Sequence, residues 1–349
     1  MKRFITLGEI MLRLTPPNYE LIRAATGFEA HYGGSEANIA LSLANLGIDS
    51  SFFSVVPDNP LGKSAVQMLR GNKVNCSPVI FSTPEETPTH RLGTYYLETG
   101  FGPRPSQVIY DRKHSAITEY DLSGVNPETL LQGFQWFHMS GITPALSPRC
   151  GEFVLACLRK ARELGLTVSF DGNFRSALWG WEEARDYCTR CMPYIDVLLG
   201  IEPFHLWRDE KDHSQGDIKD SVPMQPSLAE QEEVFRTFVQ RWPNLKCIAR
   251  HVRHAPSSSE NSLMAYLWMD GKTYESRRFT FPILDRVGGG DAFAAGLIYA
   301  MMNDYRPADV INFAVAASAL KHTIHGDSSI NDDANAIRAL MDRNFDIHR

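Results

Sequence analysis

A regular alternation of short apolar segments and amphipathic helices constrains the fold of this chain more than any other sequence feature. The pattern predicts strands at 136–139, 167–170 and 197–199, separated by helices at 152–164 and 181–191. In the first helix, apolar side chains recur at 3.6-residue spacing, at Phe153, Cys157, Ala161 and Leu164. Such strand–helix–strand units form parallel sheets covered by helices on both faces. The sequence therefore predicts an α/β fold.

The same alternation continues toward both ends of the chain. It predicts strands at 4–10, 52–56, near 247–249 and at 263–268, and helices at 37–46, 228–241, 308–323 and 331–342. Two segments, at about 12–32 and 88–120, interrupt the first part. The second contains strand-like pieces at 91–97 and 107–110, so we expect the two segments to pair as a small β lid over the main sheet. The polar segment at about 205–227 is expected to be a surface insertion.

Composition narrows the functional classes. With 349 residues, 43% of them hydrophobic, the chain is long enough for one large α/β domain or for two domains, and it can bury a substantial core. A net charge of −6 argues against a surface that binds nucleic acid. No apolar run reaches the length of a membrane span, and the N-terminus lacks the apolar region of a signal peptide. We therefore expect a cytoplasmic protein with neither a nucleic-acid nor a membrane partner.

The six cysteines are too few to indicate a disulfide framework in a chain of this length. Cys188 and Cys191 form a lone C-x-x-C motif, and no second pair or histidine group completes a zinc site. Three-residue spacing places two helical side chains on one face. We interpret these two cysteines as neighbours on a helix.

A glycine-rich turn near the C-terminus is the main candidate for chemistry. Asp285-Arg286-Val287-Gly288-Gly289-Gly290-Asp291 directly precedes an apolar run that is typical of a helix. The first turn of a helix has unpaired backbone N–H groups and a partial positive charge, which suit a phosphate. Asp291 lies where it could accept a proton. The spacing alone leaves a second interpretation open, a structural glycine loop with an Asp at the helix start.

Three further stretches of the sequence were compared with known glycine-rich ligand-binding motifs. Gly33-Gly34-Ser35-Glu36-Ala37-Asn38 places a glycine pair at a helix start, where Asn38 could hydrogen-bond a ligand hydroxyl. Gly62-Lys63-Ser64 resembles the end of a P-loop, but the first glycine of that motif is replaced by Pro57, so we predict an ordinary helix over 62–71. No G-x-G-x-x-G follows the first strand, which argues against a nicotinamide-dependent dehydrogenase.

Taken together, these motifs resemble those of the ribokinase-type (PfkB) carbohydrate kinases. The resemblance rests on Gly33-Gly34-x-x-x-Asn38, Asp58-x-x-x-Gly62 and Asp285-x-x-Gly288-x-Gly290-Asp291, and it covers essentially the whole chain. It implies one ribokinase-like domain over 1–349, a three-layer α/β/α fold with a mainly parallel sheet and a small β lid. It also implies transfer of the ATP γ-phosphoryl group to a sugar hydroxyl.

Within this family the sequence is most similar to the 2-keto-3-deoxygluconate kinases. The similar segments are Tyr95-Tyr96-Leu97-Glu98-Thr99, Tyr110-x-Arg112 and Phe170-Asp171-Gly172-Asn173-Phe174-Arg175. A keto-deoxy sugar acid carries a carboxylate, which Arg112 and Arg175 could bind with paired donors. The resemblance implies conversion of 2-keto-3-deoxygluconate to its 6-phosphate. Another sugar, such as fructose or ribose, and a catalytically weakened sugar-binding protein remain alternatives.

The resemblance also implies roles for individual residues. These are catalysis by Asp291 with Gly288, Gly289 and Gly290; substrate binding by Gly33, Gly34, Asn38, Tyr95, Tyr110, Arg112 and Arg175; nucleotide binding by Gly288, Gly290, Arg253 and Asp285; and a metal role for Glu202. Mg²⁺ would arrive largely with ATP, and a requirement for a monovalent cation is left open. Exposed lid edges favour a homodimer formed through the lid.

Two departures from the family pattern bear on these roles. The usual threonine after the first Asp of the late motif is Arg286 here, which could face the phosphates or pack outward. The Asn-x-x-Glu element that helps organise magnesium is replaced by Gly200-Ile201-Glu202-Pro203-Phe204. Glu202 is therefore the acidic candidate in that region.

Overall fold

The computed structural model describes residues 2–204, 226–330 and 334–342. The strands are β1 (Arg3–Leu7), β2 (Met11–Thr15), β3 (Glu29–Gly33), β4 (Asp49–Phe53), β5 (Val55–Pro57), β6 (Ile80–Ser82), β7 (Thr94–Glu98), β8 (Gln107–Asp111), β9 (Trp136–Ser140), β10 (Thr167–Asp171), β11 (Val197–Leu199), β12 (Cys247–Ser257), β13 (Glu260–Met269), β14 (Lys272–Glu275) and β15 (Phe279–Pro282). The helices are α1 (Ser35–Asn45), α2 (Pro60–Gly71), α3 (Ala116–Glu119), α4 (Pro127–Leu131), α5 (Pro148–Glu163), α6 (Trp181–Cys191), α7 (Leu228–Arg241), α8 (Gly289–Met302), α9 (Pro307–Lys321) and α10 (Ala334–Met341).

The central sheet is mainly parallel. Among the described residues it has the order β14-β13-β12-β11-β10-β9-β1-β4, with β15 also paired to β13. Every neighbouring pair from β4 to β12 along this order is parallel. The pairs that involve β13 are antiparallel. The predicted α/β class and mainly parallel sheet are confirmed, with an antiparallel edge that the sequence pattern did not indicate.

Helices cover both faces of this sheet because successive strand residues point to opposite sides. Phe137 on β9 packs in the core that contains α5, α6 and α7, whereas the preceding Trp136 packs with α1, α8 and α9 on the other face. The same alternation separates Leu198 from its neighbours Val197 and Leu199 on β11. The result is the three-layer arrangement predicted from the sequence.

Both interruptions of the early chain contribute to a second, smaller sheet with the order β3-β2-β7-β8. β2 pairs with β7 in parallel, and the hairpins β2–β3 and β7–β8 are antiparallel. Every residue of β8 is exposed, because this strand forms an edge of the sheet. We call this four-stranded sheet the lid.

Local sequence signals account for several helix starts. Asn59 caps α2 by accepting hydrogen bonds from the N–H groups of Leu61 and Gly62, and Pro60 occupies the first helical turn. The segment that resembles a P-loop is thus an ordinary helix, as predicted. Ser227 and Glu230 form a capping box at the start of α7.

Two predicted segments lie partly outside the described residues. The insertion predicted at 205–227 lies outside the described residues except for 226 and 227, and so does the start of the helix predicted at 331–342. Within residues 2–204, 226–330 and 334–342, none of the helices combines the length and the apolar character needed to cross a membrane. Cys188 and Cys191 are buried free thiols on α6, as neighbours on one helix face should be.

Candidate active site

A pocket of about 560 Å³ lies between the central sheet, the lid and the start of α8. Eleven of the predicted site residues line it: Gly34, Asn38, Tyr95, Tyr110, Arg112, Arg175, Arg253, Gly288, Gly289, Gly290 and Asp291. The strands β1, β9 and β10 run parallel, and the pocket includes residues that follow the carboxyl ends of β1 and β10. Ligands of open α/β sheets bind at this edge.

The glycine turn forms the start of α8. Gly288 precedes the helix with a φ of 78°, in the left-handed region that favours glycine. A Cβ atom at Gly288 would lie 1.7 Å from the backbone oxygen of Asp327, whereas one at Gly290 would meet no atom within 4 Å. The turn is therefore packed against the protein on one side and open on the other. The N–H of Gly289 donates to the carbonyl oxygen of Arg286 at 3.4 Å, a long hydrogen bond. The N–H groups at this helix start can bind an anion on the open side.

Asp291 is held by the start of a second helix. Its carboxylate accepts hydrogen bonds from Ser35 Oγ at 2.8 Å and from Asn38 Nδ2 at 2.7 Å, both on α1. Burial raises the pKa of Asp291 above its ordinary value, while these two donors oppose that rise. The carboxylate is thus positioned before any ligand binds, as a proton acceptor requires.

Asn38, predicted to bind substrate, has two protein partners. Its amide donates to Asp291, and its Oδ1 accepts from Ser328 Oγ at 3.0 Å. Both ends of the amide are therefore engaged by protein groups. Asn38 reaches Asp291 because α1 and α8 begin side by side. It also lines the pocket, so its contact with a sugar hydroxyl stays a prediction.

Asp171, at the end of β10, is a second carboxylate in the pocket. Burial raises its pKa to about 7, and the nearby charge of Asp291 acts in the same direction. Its Oδ1 accepts a hydrogen bond from the backbone N–H of Asn173 at 3.0 Å. The sequence placed Asp171 within a family motif, but the motif by itself assigned it no role.

The lid contributes two tyrosines with different environments. Tyr95 on β7 is 4% exposed, and its hydroxyl donates to Asp327 Oδ2. Tyr110 on β8 is 46% exposed, with its ring centroid 5.6 Å from that of Tyr95. Both line the pocket, so the lid forms one of its walls.

The two arginines expected to bind a carboxylate also differ. Arg112 is buried and pairs with Glu9, since its Nε and Nη2 both donate to Glu9 Oε2. Arg175 is exposed, and its Nη1 donates to the carbonyl oxygen of Phe174 at 3.1 Å. In the described part of the chain, no carboxylate forms an ion pair with Arg175. Its charge remains available to a ligand.

Comparison with known proteins identifies the family. Residues 1–232 match the model of the pfkB family carbohydrate kinases. The chain belongs to this family. The predicted family, the fold and the carbohydrate kinase activity are thereby confirmed.

Individual relatives of this PfkB kinase cover nearly its whole length. A 2-dehydro-3-deoxygalactonokinase from Haloferax volcanii is 32% identical over 349 residues, which cover 99% of this chain and 98% of the relative. A solved 2-dehydro-3-deoxygluconokinase from Thermotoga maritima has a TM-score of 0.88 and 35% identity, covering 98% of this chain and 100% of that one. An E. coli chain named Ribokinase II, solved with ATP and Mg²⁺, shares the fold at a TM-score of 0.77 and 16% identity, covering 98% and 100% of the two chains.

Three predicted site residues of the PfkB kinase do not line the pocket. Asp285 is buried and pairs with Arg13 Nη2 at 2.7 Å, so its carboxylate lies behind the turn and outside the pocket. Gly33 faces Asp327, which a Cβ atom would approach to 2.1 Å. Glu202 contacts the neighbouring strand end, where its backbone oxygen lies against Gly172.

Glu202, predicted to bind a metal ion, does not belong to a group of metal-ligating side chains among the described residues. Among the described residues, no group of three or more His, Cys, Asp or Glu side chains is arranged to hold a metal ion. Mg²⁺ retains several waters and commonly binds through substrate phosphates. A magnesium ion that enters with ATP is compatible with this site.

One side of the pocket is basic. Arg253 on β12 and Arg286 in the turn both line it. The Nη2 of Arg286 donates to the carbonyl oxygen of Ser257 at 3.3 Å. Arg286 thus borders the pocket while its guanidinium contacts β12.

Sequence reasoning missed Arg13 and Asp327. Arg13 Nη1 pairs with Asp327 Oδ1 at 2.7 Å, although the two residues are 314 positions apart. Asp327 also lines the pocket and accepts from Tyr95. A charged residue within the apolar run Met11-Leu12-Arg13-Leu14 is the signal that could have singled out Arg13.

Proposed function

We propose that this enzyme phosphorylates a keto-deoxy sugar acid, with 2-keto-3-deoxygluconate as the preferred substrate and its 6-phosphate as product. One observation carries the proposal. Arg175, which has no carboxylate partner among the described residues, lines the same pocket as the positioned base Asp291. The charge of Arg175 acts on Asp171 and Asp291 only from beyond ion-pair distance. Its guanidinium can therefore form a close, charge-assisted pair with an anionic substrate, which a neutral sugar cannot offer.

Arg112 has the smaller part in this recognition. Glu9 already occupies its Nε and Nη2, so its charge is largely balanced before a substrate binds. The two N–H groups of Nη1 remain as donors. The carboxylate of the sugar acid therefore pairs mainly with Arg175, and Tyr95 and Tyr110 contact the rest of the sugar from the lid.

The proposed reaction is in-line transfer of the ATP γ-phosphoryl group to a sugar hydroxyl. Asp291 accepts the proton of the hydroxyl as the new O–P bond forms, and ADP leaves. The N–H groups of Gly288, Gly289 and Gly290 stabilise the charge on the transferred group, and Arg253 and Arg286 bind the nucleotide phosphates. Mg²⁺, when bound with ATP, neutralises phosphate charge.

A substrate panel tests this proposal. ATP consumption would be measured with 2-keto-3-deoxygluconate, 2-keto-3-deoxygalactonate, gluconate, fructose and ribose, with Asp291→Asn as the control for contaminating kinases. The highest kcat/KM is expected for 2-keto-3-deoxygluconate. The galactonate analogue is included because the Haloferax volcanii relative is named for it. Faster turnover of fructose or ribose would refute the sugar-acid assignment, and binding without turnover of any sugar would favour a weakened sugar-binding protein.

The remaining proposals concern assembly and location. Val108, Ile109 and Tyr110 on the lid edge strand β8 are 40%, 46% and 46% exposed, which supports a homodimer formed through the lid. An Ile109→Lys substitution should then shift the mass measured by light scattering from dimer to monomer. Unchanged mass would argue against this interface.

Buried free thiols and the use of ATP support a cytoplasmic location.

A further inference from the structure

Lys321, at the end of α9, is fully buried, which is rare for a lysine. Its Nζ donates to the carbonyl oxygens of Asp285 at 3.4 Å and of Ile324 at 3.2 Å. A Cβ atom at Gly288 would lie 3.3 Å from the Cε of Lys321. The ammonium group is therefore directly behind the glycine turn, and it connects the start of the turn to the segment that follows α9.

The charges around Lys321 balance. Arg13 pairs with both Asp285 and Asp327, at 2.7 Å in each case. Burial lowers the pKa of Lys321, while Asp285 and Asp327 oppose that change. Two cations and two carboxylates thus form a neutral buried group. Without the Lys321 ammonium, a net negative charge would lie behind the turn that has to bind phosphates.

We propose that Lys321 is a built-in cation that positions the glycine turn and makes nucleotide binding independent of added monovalent ions. Backbone carbonyl oxygens also coordinate free K⁺ in proteins, so a tethered ammonium between two carbonyls can substitute for such an ion. Lys321 does not line the pocket and is a positioning residue. The inference rests on the proposed use of ATP and is independent of the sugar.

The alternative is that Lys321 only stabilises the fold. Both roles predict that its replacement lowers the melting temperature. Only the built-in cation predicts that small free cations restore ATP binding when the side chain is shortened, because they can enter the space that the ammonium leaves. Restoration by cations is therefore the readout that separates the two roles.

The experiment measures ATP affinity by calorimetry, without sugar, in KCl, methylammonium chloride and tetramethylammonium chloride at equal ionic strength. The wild type should bind ATP equally in all three salts. Lys321→Ala should bind about 10-fold more weakly in tetramethylammonium, which is too large to enter, and recover in KCl or methylammonium. Lys63→Ala is the matched control, since Lys63 is an exposed lysine with its side chain 62% accessible.

Two results would overturn the proposal. The first is a wild type that loses ATP affinity when K⁺ is replaced by tetramethylammonium, and this result is informative even if Lys321→Ala does not fold. The second is a folded Lys321→Ala variant, verified by thermal unfolding, whose weak binding is the same in every salt. Sugar turnover is absent from both readouts, so failure of the sugar-acid proposal would remain distinguishable.

Discussion

The pocket has a buried end and an exposed rim that are built differently. At the buried end, Asp291 is held by Ser35 and Asn38 from a neighbouring helix start, and Asp171 lies nearby. At the rim, Tyr110 and Arg175 are exposed. The buried end is organised by protein contacts alone, whereas the rim offers groups that a ligand has to complete.

We expect the buried end to serve catalysis and the rim to serve substrate recognition. Catalytic groups benefit from being positioned in advance, because no reorganisation is then needed when charge develops in the transition state. Groups at the rim are expected to discriminate between ligands. A charge without an ion-pair partner there favours the binding of a substrate of opposite charge over a neutral one. Substitutions at the buried end should therefore change kcat or stability, and those at the rim should change kcat/KM for particular substrates.

The largest effect is expected for Asp291→Asn. Removal of a general base costs roughly 10²–10⁴-fold in kcat, whereas ATP affinity should change little. Steady-state kinetics would measure this loss, with Asp304→Asn as control because the Asp304 side chain is 85% exposed on the surface. Turnover close to that of the wild type would exclude Asp291 as the base. The buried end of the pocket would then have no assigned catalytic group.

Asp171→Asn should change the pH dependence of stability. The pKa of Asp171 rises from 3.8 to about 7 in the folded state, so between these values the folded protein holds one more proton than the unfolded chain. Wild-type stability therefore falls as pH rises through this window. The variant lacks this loss and should be the more stable protein at pH 8, by at most about 4 kcal/mol, with little difference near pH 4.

Chemical denaturation of both proteins across this pH range would measure the difference. Subtracting one curve from the other cancels the titration of groups that the two proteins share. Parallel curves would show that the Asp171 carboxyl group is not perturbed by its burial, and the buried end would then be less preorganised than we infer.

Arg175→Ala tests the rim. We expect a loss of roughly 10–100-fold in kcat/KM for a sugar acid and a much smaller loss for a neutral sugar, because only the acid loses a charged partner. Arg306→Ala is the control, since Arg306 is an arginine with its side chain 86% exposed, paired with Asp309 at the start of α9. Equal losses on acidic and neutral substrates would mean that Arg175 does not bind the carboxylate.

The smallest effects come from a matched pair, Tyr95→Phe and Tyr110→Phe. Each removes one hydroxyl, worth about 1 kcal/mol when it forms a hydrogen bond. Tyr95 donates to buried Asp327, so its variant should lower the melting temperature, whereas the Tyr110 variant should raise only the sugar KM. A lower melting temperature for Tyr110→Phe, with a change only in the sugar KM for Tyr95→Phe, would contradict the assignment of Tyr95 to the buried end and Tyr110 to the rim.

Elements with strong local signals could be predicted from the sequence. The helix Trp181–Cys191 and the strand Val197–Leu199 have the predicted bounds, because hydrophobic periodicity is a local property of the chain. The short strands β14 and β15 were not predicted, since their pairing with β13 depends on a neighbour more than on their own pattern. For the same reason, a single strand predicted over 52–56 is two strands in different sheets.

The sequence by itself determined that a glycine turn followed by Asp291 begins a helix and that two arginine motifs accompany it, because such motifs are contiguous. The tertiary structure decided which charges are already paired. Glu9 neutralises Arg112 from 103 residues away, and Ser35 reaches Asp291 across 256 residues. Such pairs depend on how the sheet and lid bring distant segments together, and no local pattern encodes that distance. Asp285 was assigned to the nucleotide and lies behind the turn for this reason.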